Sequence, residues 1–252
     1  MKDFFSGLFD NITLFFMKLV SGILKRSVRE EQLASNTENW DKMLADDESL
    51  SKIATDIKTK ADGSKSFYIE CQHQMKDFLY GQKKGFIGKL IYKDNELTAA
   101  DNACEVIAVF NALMSIGRPV PLPTLLSTFS SGGIALDGMF GTDFTRLQKY
   151  FNKNGFETVR INGNKLTKEN LNRIGEDYSA YLFMAFNEGQ KPSSMLHTMC
   201  ITKENDNDGS VYVRHNSGNM KHYPDLYGAV TDYNGGKGHA LSVIGVREKE
   251  IL

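Results

Sequence analysis

The sequence predicts an α+β fold, with helices in the first half of its main domain and a largely antiparallel sheet in the second half. Residues 103–155 read as helices separated by loops that contain proline and glycine. Residues 156–246 instead contain short alternating or wholly apolar runs separated by turn residues, which is typical of strands. Because strands joined by short connections pair antiparallel, helices followed by such strands indicate the α+β class.

Residues 1–65 are predicted to form a helical N-terminal extension, and residues 66–252 form the main domain. Apolar residues recur at helical spacing over 4–24, which predicts an amphipathic helix. Its polar face carries both signs of charge, so we expect it to dock on the protein's own surface as a pro-segment, or on a partner, rather than on a membrane. Turn formers between Lys60 and Ser66 mark the domain boundary.

The composition is that of an ordinary globular protein. Of 252 residues, 41% are hydrophobic, which suffices for one or two domains with normal cores. The 30 basic and 31 acidic side chains are evenly distributed, so no nucleic-acid partner is expected. Three cysteines are too few for a disulfide framework, and we expect a reducing, cytoplasmic location.

The stretch 103–116 is apolar on nearly every side, which predicts a central buried helix. Asn102 is expected to cap it, with Glu105 three positions later reaching back in a capping box. Gly117 is expected to end the helix, since glycine readily adopts the left-handed conformation. Cys104 is therefore predicted to lie in the first helical turn.

Further elements follow in order along the chain. Pro119, Pro121 and Pro123 predict a loop, and Thr142 is expected to cap an amphipathic helix that Gly155 closes. The predicted short helices are 124–129 and 168–174, and the predicted strands are 156–161, 180–186, 197–202, 211–215 and 240–246.

Cys104, His197 and Asn216 are the candidate catalytic residues. A thiol in the first turn of a helix meets unpaired amides and the positive end of the helix dipole, which favour the nucleophilic thiolate. The alternative is that Cys104 is a small apolar residue of a core helix. His197 opens a predicted strand and Asn216 ends the next one, so an imidazole and an amide that could orient it lie in hairpin register.

These residues and their order resemble the papain-like cysteine peptidases, and most closely the bacteriocin-processing peptidases that cut after double-glycine leaders. The stretch that starts Asn102-Ala-Cys-Glu resembles the nucleophile helix of that group, and Gly138-Met-Phe-Gly-Thr142 resembles the segment that follows it there. The strands that begin at His197 and end at Asn216 resemble the remainder. The resemblance covers about residues 95 to 252.

The resemblance implies a papain-like fold and a peptidase that acts on a peptide or protein without a cofactor. It implies attack by a Cys104 thiolate paired with a His197 imidazolium, with Asn216 orienting the ring, and a thioester acyl-enzyme that water hydrolyses. An acyltransferase or transglutaminase-like enzyme on the same fold is the alternative in which an amine captures the acyl group.

The resemblance also implies an oxyanion hole made by the nucleophile's own N–H and a glutamine side chain. Thr98 stands where that glutamine is expected, and Gln82 is the nearest glutamine upstream. Asn102, Thr98 or a more distant glutamine would supply the second donor. If none does, the rate falls on the order of a hundredfold or more. A catalytically inactive binding module is therefore a further alternative.

His239 is the rival candidate for the catalytic imidazole, because it also opens an apolar strand. Only Asp232 or Asp225 could orient it, and both precede it in the chain. His215 and His222 lie beside basic residues and are expected to be solvated.

A zinc site made by Cys71, His73, His197 and Cys200 is a less favoured alternative. These residue types are the usual zinc ligands. However, residues three apart on a strand face opposite sides of a sheet, so His197 and Cys200 are not expected to bind the same ion. We therefore predict no metal.

Overall fold

The structure is a computed structural model that describes residues 25–26, 34–35, 37–38, 103–118, 120–130, 134–135, 144–188, 195–206, 209–216, 219–233 and 237–250. The predicted amphipathic helix over 4–24 and the domain boundary near residue 66 lie outside these ranges, so the division into 1–65 and 66–252 stays a prediction.

Helices and strands follow the predicted order within the described ranges. The helices are α1 (Cys104–Ile116), α2 (Leu122–Ser130), α3 (Thr145–Lys153), α4 (Lys168–Asp177) and α5 (Leu226–Thr231). The strands are β1 (Lys25–Arg26), β2 (Ile134–Ala135), β3 (Phe156–Asn162), β4 (Ala180–Asn187), β5 (Leu196–Asp206), β6 (Gly209–Asn216), β7 (Asn219–Tyr223) and β8 (Gly238–Glu248).

Six strands form one sheet in the order β3-β8-β4-β5-β6-β7, and every neighbouring pair is antiparallel. The described part of the chain is therefore of the α+β class, as predicted. β7 was not predicted, because the stretch Asn219–Tyr223 is largely polar and lacks a clear apolar alternation. α5 was not predicted either, because a helix of six residues is too short to show a helical period. β1 and β2 form a separate pair of two-residue strands.

The two faces of the sheet pack against different helices. On the first face, α1, α2 and α3 enclose a core with side chains such as Leu182, Cys200 and Ile244. On the second face, α4 and α5 pack over side chains such as Phe183 and Ile201. Burial of these side chains stabilises the fold by about 1.5–3 kcal/mol each for the larger apolar residues.

The central helix α1 is buried as predicted, because its apolar side chains pack on β5, β4 and α2. It ends at Gly117, whose φ of 80° is left-handed and whose N–H bonds the last turn. The predicted capping box is wrong. The helix begins at Cys104, and its N-cap is Ala103, one residue later than Asn102, with no side-chain cap hydrogen bond. The N-cap of α3 is likewise Phe144, later than the predicted Thr142.

Candidate functional site

Cys104 is the first residue of α1 and is half-buried. The carbonyl of Ala103, just before it, already accepts the first helical hydrogen bond, from the N–H of Ile107. The sequence places the thiol there because an apolar run starts at this point and needs burial over its full length. The thiol therefore lies at the end of α1 where backbone N–H groups have no partner within the helix.

Three groups contact the Cys104 sulfur: the Glu105 carboxylate and the backbone N–H groups of Glu105 and Thr198. The thiol donates a hydrogen bond to Glu105 Oε2 at 3.2 Å, and Glu105 is only 3% exposed. The backbone N–H of Thr198, on β5, donates to the same sulfur. The sulfur thus meets a carboxylate from its own helix and an amide from the sheet.

The pKa of the Cys104 thiol is well above its ordinary value, opposite to the direction expected from its helical position. Burial of the sulfur is the largest cause, and the negative charge of Glu105 is the next. The amide of Thr198 acts in the other direction and does not compensate. Burial and the charge of Glu105 therefore both favour the protonated form of the Cys104 thiol.

Thr198 connects Cys104 to the predicted histidine. His197 precedes Thr198 on β5 and is half-buried. Pairing of β5 with β6 starts at Cys200↔His215, so the beginning of β5 extends beyond the end of β6. Since the Thr198 amide donates to the sulfur, Cys104 lies beside this uncovered edge of β5. The structure therefore brings the strand of His197 to the helix that carries the thiol.

The third predicted residue, Asn216, is the last residue of β6 and pairs through its backbone with Asn219. Its side chain lies outside the described part of the structure. The predicted oxyanion donors Thr98 and Asn102 lie outside the described residues. Their roles stay predictions.

The rival histidine, His239, lies near the start of β8. Phe186 pairs with both His239 and Leu196, so these three residues form one row across the sheet on the face that α1 covers. A register shift at Met184/Ala185 creates this alignment. His239 Nδ1 lies 3.8 Å from Glu188 Oε1, and its ring lies 5.6 Å from that of Phe186.

The two aspartates expected to orient His239 have other partners. Asp225 caps α5 by accepting the N–H of Gly228 at 2.7 Å. Asp232 accepts the hydroxyl of Tyr223 at 2.9 Å. The carboxylate beside His239 is Glu188, which the sequence analysis missed because it follows β4 along the chain and approaches β8 only through sheet pairing.

His215 is buried, so the expectation that it is solvated is wrong. It is 4% exposed, and its Nε2 lies 2.8 Å from Thr202 Oγ1. Burial, followed by the charge of nearby His222, lowers its pKa to about 3. His222 is exposed, as expected. The prediction was wrong because it relied on the basic residue beside His215 in the sequence. β6 is an inner strand of the sheet, so its side chains can be buried even there.

Tyr233, Asn187 and Arg214 form a cluster near the thiol that the sequence analysis missed. Tyr233 is 4% exposed, and its pKa is raised mainly by burial, with a smaller increase from the charge of Cys104. The Asn187 side chain hydrogen-bonds the Tyr233 hydroxyl, and the Arg214 guanidinium lies 5.6 Å from the ring centre. The sequence offered no signal for this cluster, because the helix that ends at Thr231, two residues before Tyr233, was not predicted.

The zinc alternative gains no support from the described ranges. His197 pairs with Ala185 and Cys200 pairs with Leu182, so the two residues face opposite sides of the sheet, as the strand period predicts. Among the described residues, no three histidine, cysteine or acidic side chains come together as metal ligands would. Cys71 and His73 lie outside those residues.

In the described ranges, none of the helices combines the length and the apolar character that a membrane crossing requires. Comparisons of the chain with protein-family models, with curated proteins and with solved structures found no match.

Proposed function

We propose that this protein is a cysteine peptidase of papain-like fold, with Cys104 as nucleophile and His197 as acid and base. The hydrogen bond from the Thr198 amide to the Cys104 sulfur carries the proposal. It supports the proposal because His197 is the residue next to Thr198, in the segment of β5 that approaches the start of α1. A thiol with an imidazole within reach is the minimal arrangement for covalent catalysis on an amide.

The proposed reaction has two halves. In the first, the His197 imidazole takes the thiol proton, the sulfur attacks the amide carbonyl carbon, and His197 returns the proton to the leaving amine. This leaves a thioester between the acyl group and Cys104. In the second, water attacks the thioester carbon while His197 takes a proton from the water. The carbon–sulfur bond breaks, His197 returns the proton to the Cys104 sulfur, and the carboxylic acid is released.

The remaining roles follow from position. The N–H of Cys104 at the start of α1 is the first donor of an oxyanion hole, and Thr98 or Asn102 would supply the second. Asn216, at the end of β6, would orient the His197 ring. The substrate is a peptide or protein. The free thiols of Cys104 and Cys200 support a reducing compartment such as the cytoplasm.

The test is hydrolysis of a mixture of internally quenched peptides by the full chain and by matched variants. We expect Cys104→Ala and His197→Gln to abolish turnover, because one removes the nucleophile and the other the proton carrier. His239→Gln is the control, since it removes a half-buried imidazole from the same end of the sheet. Turnover by Cys104→Ala, or equal losses in both histidine variants, would contradict the assignment.

A specific observation favours a second candidate, a catalytically inactive papain-like binding module. The raised pKa of the Cys104 thiol disfavours the thiolate that catalysis requires. This candidate predicts no turnover in any variant, and equal binding of a peptide by the wild type and Cys104→Ala.

An acyltransferase would differ from a peptidase in what captures the thioester. In water enriched in ¹⁸O with added glycinamide, a peptidase places ¹⁸O in the carboxyl product. A transferase instead yields the glycinamide adduct.

A further inference from the structure

We propose that Glu105 is a positioning residue that holds Cys104 as a hydrogen-bonded thiol in the resting protein. The nucleophile is then latent and loses its proton only when His197 accepts it. The latency for catalysis rests on the proposed function, whereas the state of the thiol can be measured without any turnover.

The contact between the two side chains is not a default of helical geometry. Adjacent residues on a helix project about a quarter-turn or more apart and do not normally face each other. Nevertheless, Cys104 Sγ lies 3.2 Å from Glu105 Oε2. Both side chains therefore turn toward one point at the start of α1, beside the edge of β5.

The burial of Glu105 gives this contact its weight. A carboxylate that is only 3% exposed requires hydrogen-bond donors, because its desolvation is otherwise costly. The thiol proton is one of these donors. A thiolate would turn that donor into a second negative charge beside the carboxylate. The thiol form of Cys104 is therefore favoured beside the Glu105 carboxylate, and the thiolate form is disfavoured because it places two negative charges side by side.

Other ionisable groups at this end of α1 do not reverse that preference. The first five residues of β5 include His197 and Cys200, the start of β8 carries His239, and α2 has none over Leu122–Ser130. The other ionisable residues of these strands lie toward their far ends: Lys203, Glu204 and Asp206 on β5, and Arg247 and Glu248 on β8. On β4 the ionisable residue is Tyr181, which lies on the opposite face and bonds the Gly175 carbonyl. Tyr233 lies within electrostatic range of the sulfur, with the cationic Arg214 beside its ring.

This arrangement has a chemical consequence. A thiol that stays protonated at neutral pH reacts slowly with alkylating agents and oxidants, because the thiolate is the reactive form. Transfer of its proton to His197 would create an imidazolium, whose positive charge offsets the carboxylate. Glu105 therefore limits reactivity in the absence of a bound substrate.

Glu105→Gln tests the proposal, because glutamine keeps the length and an acceptor oxygen but removes the charge. The readout is the rate of iodoacetamide alkylation at Cys104 between pH 6 and 10, followed by peptide mass spectrometry. We expect the alkylation midpoint to move to lower pH and the rate at pH 7 to rise at least tenfold. The rate at Cys200, buried in the same chain, is the internal control and should not change.

A companion variant, Glu105→Asp, retains the charge and should keep the high midpoint. If Glu105→Gln fails to fold, the wild type itself supplies the answer through the ¹³Cβ chemical shift of Cys104 across the same pH range. A thiolate signal at pH 7 in the wild type would overturn the proposal, as would an unchanged alkylation midpoint in a folded Glu105→Gln. Absence of peptidase turnover with a shifted midpoint would refute the proposed function and leave this inference standing.

Discussion

The backbone amide of Thr198 donates a hydrogen bond to the sulfur of Cys104, which joins the start of the central helix to an edge of the sheet. The two residues belong to elements that are distant in the sequence. An amide at this position stabilises negative charge on sulfur, and Glu105 opposes it. The pKa of the Cys104 thiol therefore depends on the balance between these two influences and the burial of the sulfur.

Gly238 is predicted to be required for the position of Tyr233. A Cβ atom at residue 238 would lie 2.7 Å from the Phe186 carbonyl oxygen and 2.9 Å from the Tyr233 ring. Gly238→Ala should therefore lower the free energy of unfolding by about 1–3 kcal/mol, because backbone and a buried ring must move. Urea denaturation measures this loss.

The same variant should change the alkylation rate at Cys104, since Tyr233 lies near the thiol. Gly155→Ala is the matched control. Its cost comes from a φ of +85°, and its Cβ would meet nothing within 4 Å. It should destabilise the protein without altering Cys104. Equal effects of both variants on the thiol would argue against a link between Gly238 and the site.

Arg214 is predicted to be a large contributor to stability on the second face of the sheet. It is 4% exposed, donates to the Ala229 carbonyl at 2.8 Å and lies 5.1 Å from the centre of the Tyr223 ring. Arg214→Met should cost about 2–4 kcal/mol of unfolding free energy, because it leaves a buried carbonyl unpaired and removes cation–π contacts.

Lys221→Met is the control for Arg214→Met, because Lys221 is the strand partner of Arg214 in β7. Its ammonium group is exposed and lies 3.4 Å from Asp232. Such surface pairs contribute below about 1 kcal/mol. Equal midpoints of urea denaturation for the two variants would show that the buried Arg214 adds no more to the free energy of unfolding than the exposed Lys221 does.

Stability is predicted to fall in mild acid because of His215. Its pKa is lowered to about 3 in the folded protein, from an ordinary value of 6.5. Between these values the unfolded chain binds a proton that the folded protein does not, so stability is complete above pH 6.5 and declines as the pH falls toward about 3. The slope contributed by this group approaches about 1.4 kcal/mol per pH unit.

Urea denaturation at several pH values between 7 and 4 measures that slope. His215→Gln keeps a group that can bond Thr202 but no longer titrates, so its stability should vary less with pH than that of the wild type. His222→Gln, at an exposed position, should retain most of the wild-type slope, because burial and not the charge of His222 is the larger cause of the lowered pKa of His215. A wild-type slope in His215→Gln would show that other groups govern the acid response.

Local patterns were sufficient for most of the elements. Apolar periodicity predicted α1 and the strands β3, β4, β5, β6 and β8, because burial of one face or of a whole segment imposes its period on the sequence. Gly117 predicted the end of α1, since its left-handed φ is a local property. β7 escaped prediction, because its pairing with β6 does not require apolar residues.

The candidate site was predictable only in part. The sequence identified Cys104 at the start of a helix and His197 at the start of a strand, and both positions are correct. It did not predict that Glu105 bonds the thiol, that Tyr233 lies near it, or that His215 is buried. Each of these depends on which side chains the folded chain brings together.

The sequence by itself determined the α+β class, the order of the longer helices and strands, and the position of the thiol at the start of the central helix. These properties follow from short-range periodicity and turn chemistry, which each segment carries alone. Only the tertiary structure decided the direction in which the pKa of Cys104 shifts and the partners of His239 and His215. Those depend on desolvation and on distances between charges, and both arise when remote segments pack together.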